Sequence, residues 1–212
     1  MMPFPTFTPG AKILELFSNT ATANSATIAW PGGIRAGDLA VLVDEGENTG
    51  APAPTSVIPS GFTSIADNTL LSVRTILSYK LLVGTESGNI TGMAVASSES
   101  NKRLLIFRLQ GAISSVVVGT FANVFDANNP AAQTTTLVGL VCPLVYIAVG
   151  GNRTGPASTF TTETPALDNK YSDTANVVGY KIYNSNPQNH TVDIADLSTN
   201  NWLFSGYIRV VD

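Results

Sequence analysis

The sequence predicts an all-β protein, a jelly-roll-like β-sandwich built from two related Greek-key halves. Three observations carry that expectation. Short runs rich in Val, Ile, Leu, Thr, Tyr and Phe are bounded by clusters of Gly, Pro, Asn, Asp and Ser. No amphipathic stretch with helical spacing extends beyond about two turns. The third observation is a repeat. Ser78-Tyr79-Lys80-Leu81, Asn89-Ile90-Thr91, Asn101 and Ile106-Phe107-Arg108 are answered in the same order by Gly179-Tyr180-Lys181-Ile182, Asn189-His190-Thr191, Asn201 and Tyr207-Ile208-Arg209. The separation from Tyr79 to Arg108 is 29 residues, the same as from Tyr180 to Arg209. A fixed-order match of this kind marks a duplicated supersecondary unit.

Taken in order, residues 1–12 read as an extended N-terminal arm. Pro3, Pro5 and Pro9 exclude a helix there, and Phe4 and Phe7 supply apolar anchors. Such an arm packs either on its own domain or on a neighbouring subunit. The strand-like runs that follow are Ile13–Phe17, Ser25–Trp30, Asp38–Val43, Val73–Val83, Ile90–Ala96, Arg103–Leu109 and Val116–Phe121. The second half contributes Gln133–Val138, Leu144–Val149, Val177–Tyr183, Thr191–Ala195 and Trp202–Val211. Trp30 and Trp202 fall in strand-like contexts and read as core. Ser60-Gly61-Phe62-Thr63 is answered by Ser158-Thr159-Phe160-Thr161, and Pro143 stands where the first copy has Asp38. Residues 13–212 read as one domain, with a first half of about 13–111 and a second of about 112–212. Each half has too few strands to cover both faces alone. Continuous apolar runs such as Leu39–Val43 imply strands buried on both faces. In a free-standing sandwich that is unusual, so the runs point to assembly, with a homotrimer the expected form.

The 212 residues are 44% apolar and only 12% charged, about half the roughly 25% usual in soluble domains. Ser, Thr, Asn and Gly must therefore cover much of the surface. The net charge of −4 argues against nucleic-acid binding, which needs clustered Lys and Arg. Lys102-Arg103 is the only adjacent basic pair and reads as a solvated strand end. The N-terminus has neither the basic region nor the apolar core of a signal peptide, and no run approaches the length of a membrane span. The expected product is made in the cytoplasm and stays there or leaves by lysis or as part of a particle, without membrane insertion.

Few residues suggest chemistry, and the expectation is a protein that is not an enzyme, with no catalytic residue, metal or cofactor. A thiol nucleophile would need a partner base, and the chain has one cysteine, Cys142, and one histidine, His190. The same scarcity excludes the usual zinc sites. The fifteen acidic residues show no spacing that marks a catalytic pair. The acidic segment Asp44-Glu45-Gly46-Glu47-Asn48 reads as a solvated loop after a strand, with calcium binding as the other reading. Candidate receptor-facing loops carry Tyr171, Tyr183, Asn184, Asn186 and Asn189, because polar loops with neighbouring aromatics suit glycan or receptor contact.

Ile34-Arg35-Ala36-Gly37-Asp38-Leu39-Ala40-Val41-Leu42-Val43, Pro59-Ser60-Gly61-Phe62-Thr63, Ser78-Tyr79-Lys80 and Ile106-Phe107-Arg108 form an ordered series. It resembles bacteriophage structural proteins of the tail-fibre or virion-surface β-domain type. The likeness covers about two thirds of the chain and brings no catalytic residue with it. It implies a virion structural protein that decorates the capsid or forms part of the tail or fibre adhesion apparatus. Its partners would be copies of itself, other virion proteins and a host surface glycan. The alternative is a carbohydrate-binding, lectin-like module or a glycan-active enzyme on the same fold.

Overall fold

A computed structural model describes residues 12–48, 52–93, 100–126, 132–152, 159–172, 176–194 and 201–211. Every element among them is a β-strand. The first half carries β1 (Leu14–Thr22), β2 (Thr27–Ala29), β3 (Ala36–Glu47), β4 (Thr63–Leu70), β5 (Val73–Val83), β6 (Asn89–Thr91) and β7 (Ser100–Leu109). The second carries β8 (Ser115–Val118), β9 (Ala122–Asp126), β10 (Gln133–Thr135), β11 (Leu144–Asn152), β12 (Phe160–Thr164), β13 (Asn169–Ser172), β14 (Asn176–Tyr183), β15 (His190–Ile194) and β16 (Asn201–Val211). The run expected over Val116–Phe121 breaks after Val118. A Cβ on Gly119 would sit 2.2 Å from the Tyr207 ring, so only glycine lets the chain pass there.

The two halves lay their strands down in the same order. The large sheet of the first half runs β1-β7-β3-β5-β4, and that of the second runs β16-β11-β14-β13, with β8 and β9 together on the free edge of β16. Each large sheet has a small companion, β2-β6 in the first half and β10-β15-β12 in the second. The register repeats as well. Tyr79 lies opposite Val41, which lies opposite Leu105. Tyr180 lies opposite Ile147, which lies opposite Gly206. With the equal 29-residue spacing, Arg108 and Arg209 fall on equivalent positions.

The register also corrects two correspondences. Leu39 faces Leu81 and Phe107, while Val145 faces Ile182 and Ile208. The residue answering Asp38 is therefore Leu144, not Pro143. Likewise Glu45 faces Asn101 and Gly151 faces Trp202, so Asn101 answers Trp202 rather than Asn201. Matching letters across a one-residue slip had hidden both.

Strand alternation then builds the layers. On β3, Leu39, Val41 and Val43 point into a central core that they share with Val145, Ile147 and Val149 of β11. Ala40 and Leu42 point the other way, onto Ile28, Phe62, Leu82 and Ile90. On β11, Tyr146 and Ala148 point away from the centre onto Phe160, Val192 and Ile194. The two large sheets thus share the middle, and each small sheet covers an outer face. Each Leu, Ile or Val buried this way contributes on the order of 1.5–3 kcal/mol.

This arrangement replaces the argument for assembly drawn from the sequence. Leu39–Val43 is buried on both faces, but by layers of the same chain. The premise that each half lacks strands for a second layer fails too, since each has its own small sheet. What neither half covers alone is the inner face of its large sheet. Across that face Phe107 meets Tyr180 edge-on at 5.5 Å, and Asn176 donates to Glu45 at 2.8 Å.

Candidate functional site

Most residues that looked available for chemistry or recognition are engaged in the fold. The segment Asp44–Asn48 is not a loop, because β3 continues through Glu47. Asp44 and Glu45 are 1% and 2% exposed. Asp44 forms an ion pair with Lys102 at 2.9 Å and accepts the Met93 N–H at 2.8 Å. Burial pushes its carboxyl above the usual range, while Lys102 and the Met93 N–H pull the other way. Lys102 also donates to the Met93 carbonyl and to Ser100 Oγ. Both earlier readings of this segment, solvated loop and calcium site, give way to a strand end held by a buried ion pair. Lys102-Arg103 is corrected with it. Lys102 is buried, and Arg103 spreads its guanidinium over the Tyr171 ring at 4.7 Å.

The candidate receptor-facing residues divide sharply. Tyr171 is half-buried under Arg103 and stacks near Tyr180 at 6.3 Å. Tyr183 is 6% exposed, and burial pushes its hydroxyl up to about 12. Asn184 clamps the start of β1, accepting the Leu14 N–H at 2.7 Å and donating to the Leu14 carbonyl at 3.1 Å. Asn189 accepts the N–H groups of Leu137 and Val138 at 3.0 and 3.2 Å. These four serve the fold. Asn189 stays exposed while making these bonds, and Asn186 is exposed at a φ of 47°. Phe4 and Phe7 lie outside the described residues. Of the tryptophans, Trp202 is core at 2% exposure, while Trp30 is half-buried and stacks on Phe62 at 5.9 Å.

His190 and Cys142 make no hydrogen bond to each other. His190, the first residue of β15, is fully buried opposite Thr135 of β10. Its ring lies flat on Tyr146, with centroids 4.1 Å apart and planes 4° from parallel. Burial pushes its pKa down to about 4, and the Lys181 charge adds to the shift. The Cys142 thiol is pushed up by burial, the opposite of what a nucleophile requires. Beside the His190 ring runs a chain of polar groups. Thr135 Oγ1 and Ser205 Oγ are 3.0 Å apart, Ser205 donates to Gln133 Oε1 at 3.1 Å, and Gln133 donates to the Leu203 carbonyl at 2.9 Å. Among the described residues no three His, Cys, Asp or Glu side chains gather as a metal site.

Two open grooves lie on the second half among the described residues. One is lined by Thr120, Thr134, Thr135, Thr136 and Tyr207, a row of hydroxyls beside one aromatic ring. The other lies between the β10–β11 and β14–β15 loops and is lined by Val138, Leu140, Cys142, Asn186, Pro187 and Gln188. Val138 and its neighbour Val141 are each 63% exposed. Only Asn186 among the named candidates lines either groove. The threonine row escaped sequence reading because alternation alone does not tell which polar face stays open once a third layer is added.

Compared with known protein families, curated proteins and solved structures, the chain matches none.

Proposed function

We propose that the protein is a non-enzymatic structural component of a bacteriophage virion, placed at the particle surface. It decorates the capsid or forms part of the tail or fibre adhesion apparatus, alongside other virion proteins. The observation that supports this reading best is where the carboxylates go. Asp38 pairs with Arg108 at 2.6 Å, Asp44 with Lys102 at 2.9 Å and Asp67 with Arg74 at 2.6 Å. Glu86 pairs with Lys80, Glu163 with Lys170 and Asp168 with Lys181. Glu45 accepts from Asn176 across the two halves. A chain poor in charge engages these carboxylates within its own fold, as suits a building block. The sequence resemblance to virion β domains points the same way.

We propose further that each half follows a jelly-roll path. In the first half β1, β7, β3 and β5 share one sheet and β2 and β6 the other; in the second, β8, β16, β11 and β14 share one sheet and β10 and β15 the other. The protein would then be two such units packed through their large sheets, rather than one jelly roll assembled from two halves. The homotrimer remains part of the proposal and now rests on exposed apolar residues such as Val57, Ile58, Leu71 and Val117. Light scattering of the purified chain should give three times the 22.2 kDa protomer mass.

The decisive experiment is fractionation. Antibody against the chain should detect it in density-banded particles from cells that make it, at constant ratio to the other particle proteins. Its complete separation from particles would overturn the reading. A glycan-binding role is favoured by one specific observation, the threonine-lined groove beside Tyr207. Binding to host-surface polysaccharide that Tyr207→Ala abolishes would support it, while release of reducing sugar ends would overturn the non-enzymatic assignment.

A further inference from the structure

We propose that the groove between the β10–β11 and β14–β15 loops is the docking site of this chain's own N-terminal segment, residues 1–11, from the same copy. Leu14 is held by both its backbone groups to the side chain of Asn184. Asn184 is two residues before Asn186, which lines the groove with Pro187 and Gln188. At roughly 3.3 Å per extended residue, the groove begins within about 7 Å of that clamp. By the same measure Phe7 can reach about 23 Å from Leu14 and Phe4 about 33 Å, so both span the groove with chain to spare.

The chemistry of the two surfaces agrees. Residues 1–11, Met-Met-Pro-Phe-Pro-Thr-Phe-Thr-Pro-Gly-Ala, carry two phenylalanines and no charged side chain. Three prolines remove three backbone donors, which leaves a segment richer in carbonyl acceptors than in N–H groups. The groove offers the complement. Val138, Leu140, Cys142 and Pro187 give apolar contact for the rings. The side-chain amides of Asn186 and Gln188 are donors for carbonyls without N–H partners. Proline-rich segments are recognised by this pairing of apolar pocket and amide donor. Docking would also cover Val138 and Ile13, which are 63% and 45% exposed. The inference does not depend on the virion proposal, since it concerns only how the chain covers its own surface.

Cys142 makes the test direct, because it lines this groove and is the chain's only cysteine. The rate of thiol modification by a small aromatic disulfide reagent is measured on the full chain, on a chain lacking residues 1–11, and on the Phe4→Ser/Phe7→Ser variant. Docking predicts at least about tenfold faster modification in both variants, with unchanged far-ultraviolet spectra, which corresponds to about 1.4 kcal/mol of docking. A synthetic peptide of residues 1–11 added to the truncated chain should restore protection. Protection should also be independent of protein concentration from micromolar upward. Equal rates in all three proteins would overturn the proposal. So would protection in the full chain that vanishes on dilution, since that would place the segment on a second copy.

Discussion

The two halves share a backbone path but bury their polar groups in different places. In the first half the outer layer is apolar, with Ile28 opposite Ile90, and Ala40, Leu42 and Leu104 packed beside them. The equivalent layer of the second half has Thr135 opposite His190, with Tyr146 and Ser205 in the places of Ala40 and Leu104. At the far end of β3 the contrast reverses. The first half buries the Asp44–Lys102 ion pair, whereas the second has Gly150 and Leu203 at those positions. The exchange is one of volume as well as polarity. A Cβ on Gly92 would sit 2.0 Å from Asp44 Oδ2, so the carboxylate requires a glycine beside it. At the equivalent positions the second copy has Gly150 and Val192, and a Cβ on Gly150 would meet Ile194 Cδ1 at 2.8 Å. A duplicated frame thus accepts a buried polar group wherever its partners and its volume come with it.

The largest effect expected from this comparison is at the buried ion pair. Lys102→Leu leaves Asp44 buried and unpaired and should cost about 3–5 kcal/mol in urea unfolding. Adding Asp44→Gly and Gly92→Val imports the second half's full set and should recover most of that loss. If the triple variant is as unstable as the single one, the two positions are not equivalent in packing and the comparison breaks.

The next effect is the pH dependence of the second half's outer layer. The folded pKa of His190, about 4, is depressed below its ordinary 6.5. Between those values the unfolded chain binds the proton that the folded chain refuses, so stability falls as pH drops from 6.5 towards 4. The loss is about 3 kcal/mol over that window. The groups acting on the ring include Lys181, which reinforces the shift, and Glu163 and Asp168, which oppose it. His190→Ile, the first half's solution, should flatten the slope relative to the native chain. An unchanged slope would assign the acid sensitivity to the carboxylates instead.

The smallest effect separates two arginines at matching positions. Arg108 donates to both oxygens of Asp38, at 2.8 and 2.6 Å, and packs on Phe17 at 3.6 Å. Arg209 faces Leu144. Arg108→Gln should lose about 2 kcal/mol, since a carboxylate 1% exposed loses its main partner. Arg209→Gln should change stability by less than about 0.5 kcal/mol. Equal losses would mean that Arg209 has acquired a role the register does not reveal.

The candidate site was far less legible than the fold. Asn184 and Asn189 read as solvent-facing because Asn is common in open loops. Whether an amide faces water or caps another strand's backbone depends on residues 170 positions away, as Leu14 is from Asn184. The acidic segment at Asp44 misled for a related reason. Two carboxylates in a row look solvated until a lysine from another strand, and a glycine beside it, make room for one of them inside.

By itself the sequence determined the strand character of the chain, the strand Val73–Val83 to its ends, and the duplication through Tyr79 and Tyr180. These are local patterns: side-chain period, turn residues and spacing, which the backbone reads without distant help. The strands β4, β9, β12 and β13 escaped it. Strands such as β12, Phe160–Thr164, and β13, Asn169–Ser172, lie at sheet edges and expose most of their side chains, so no apolar alternation marks them. Only the tertiary structure decided that the runs around Val41 and Ile147 are covered by layers of one chain rather than by a neighbouring subunit. Burial on both faces is a property of what packs above and below a strand, and a strand's own residues state that it is covered without stating by what.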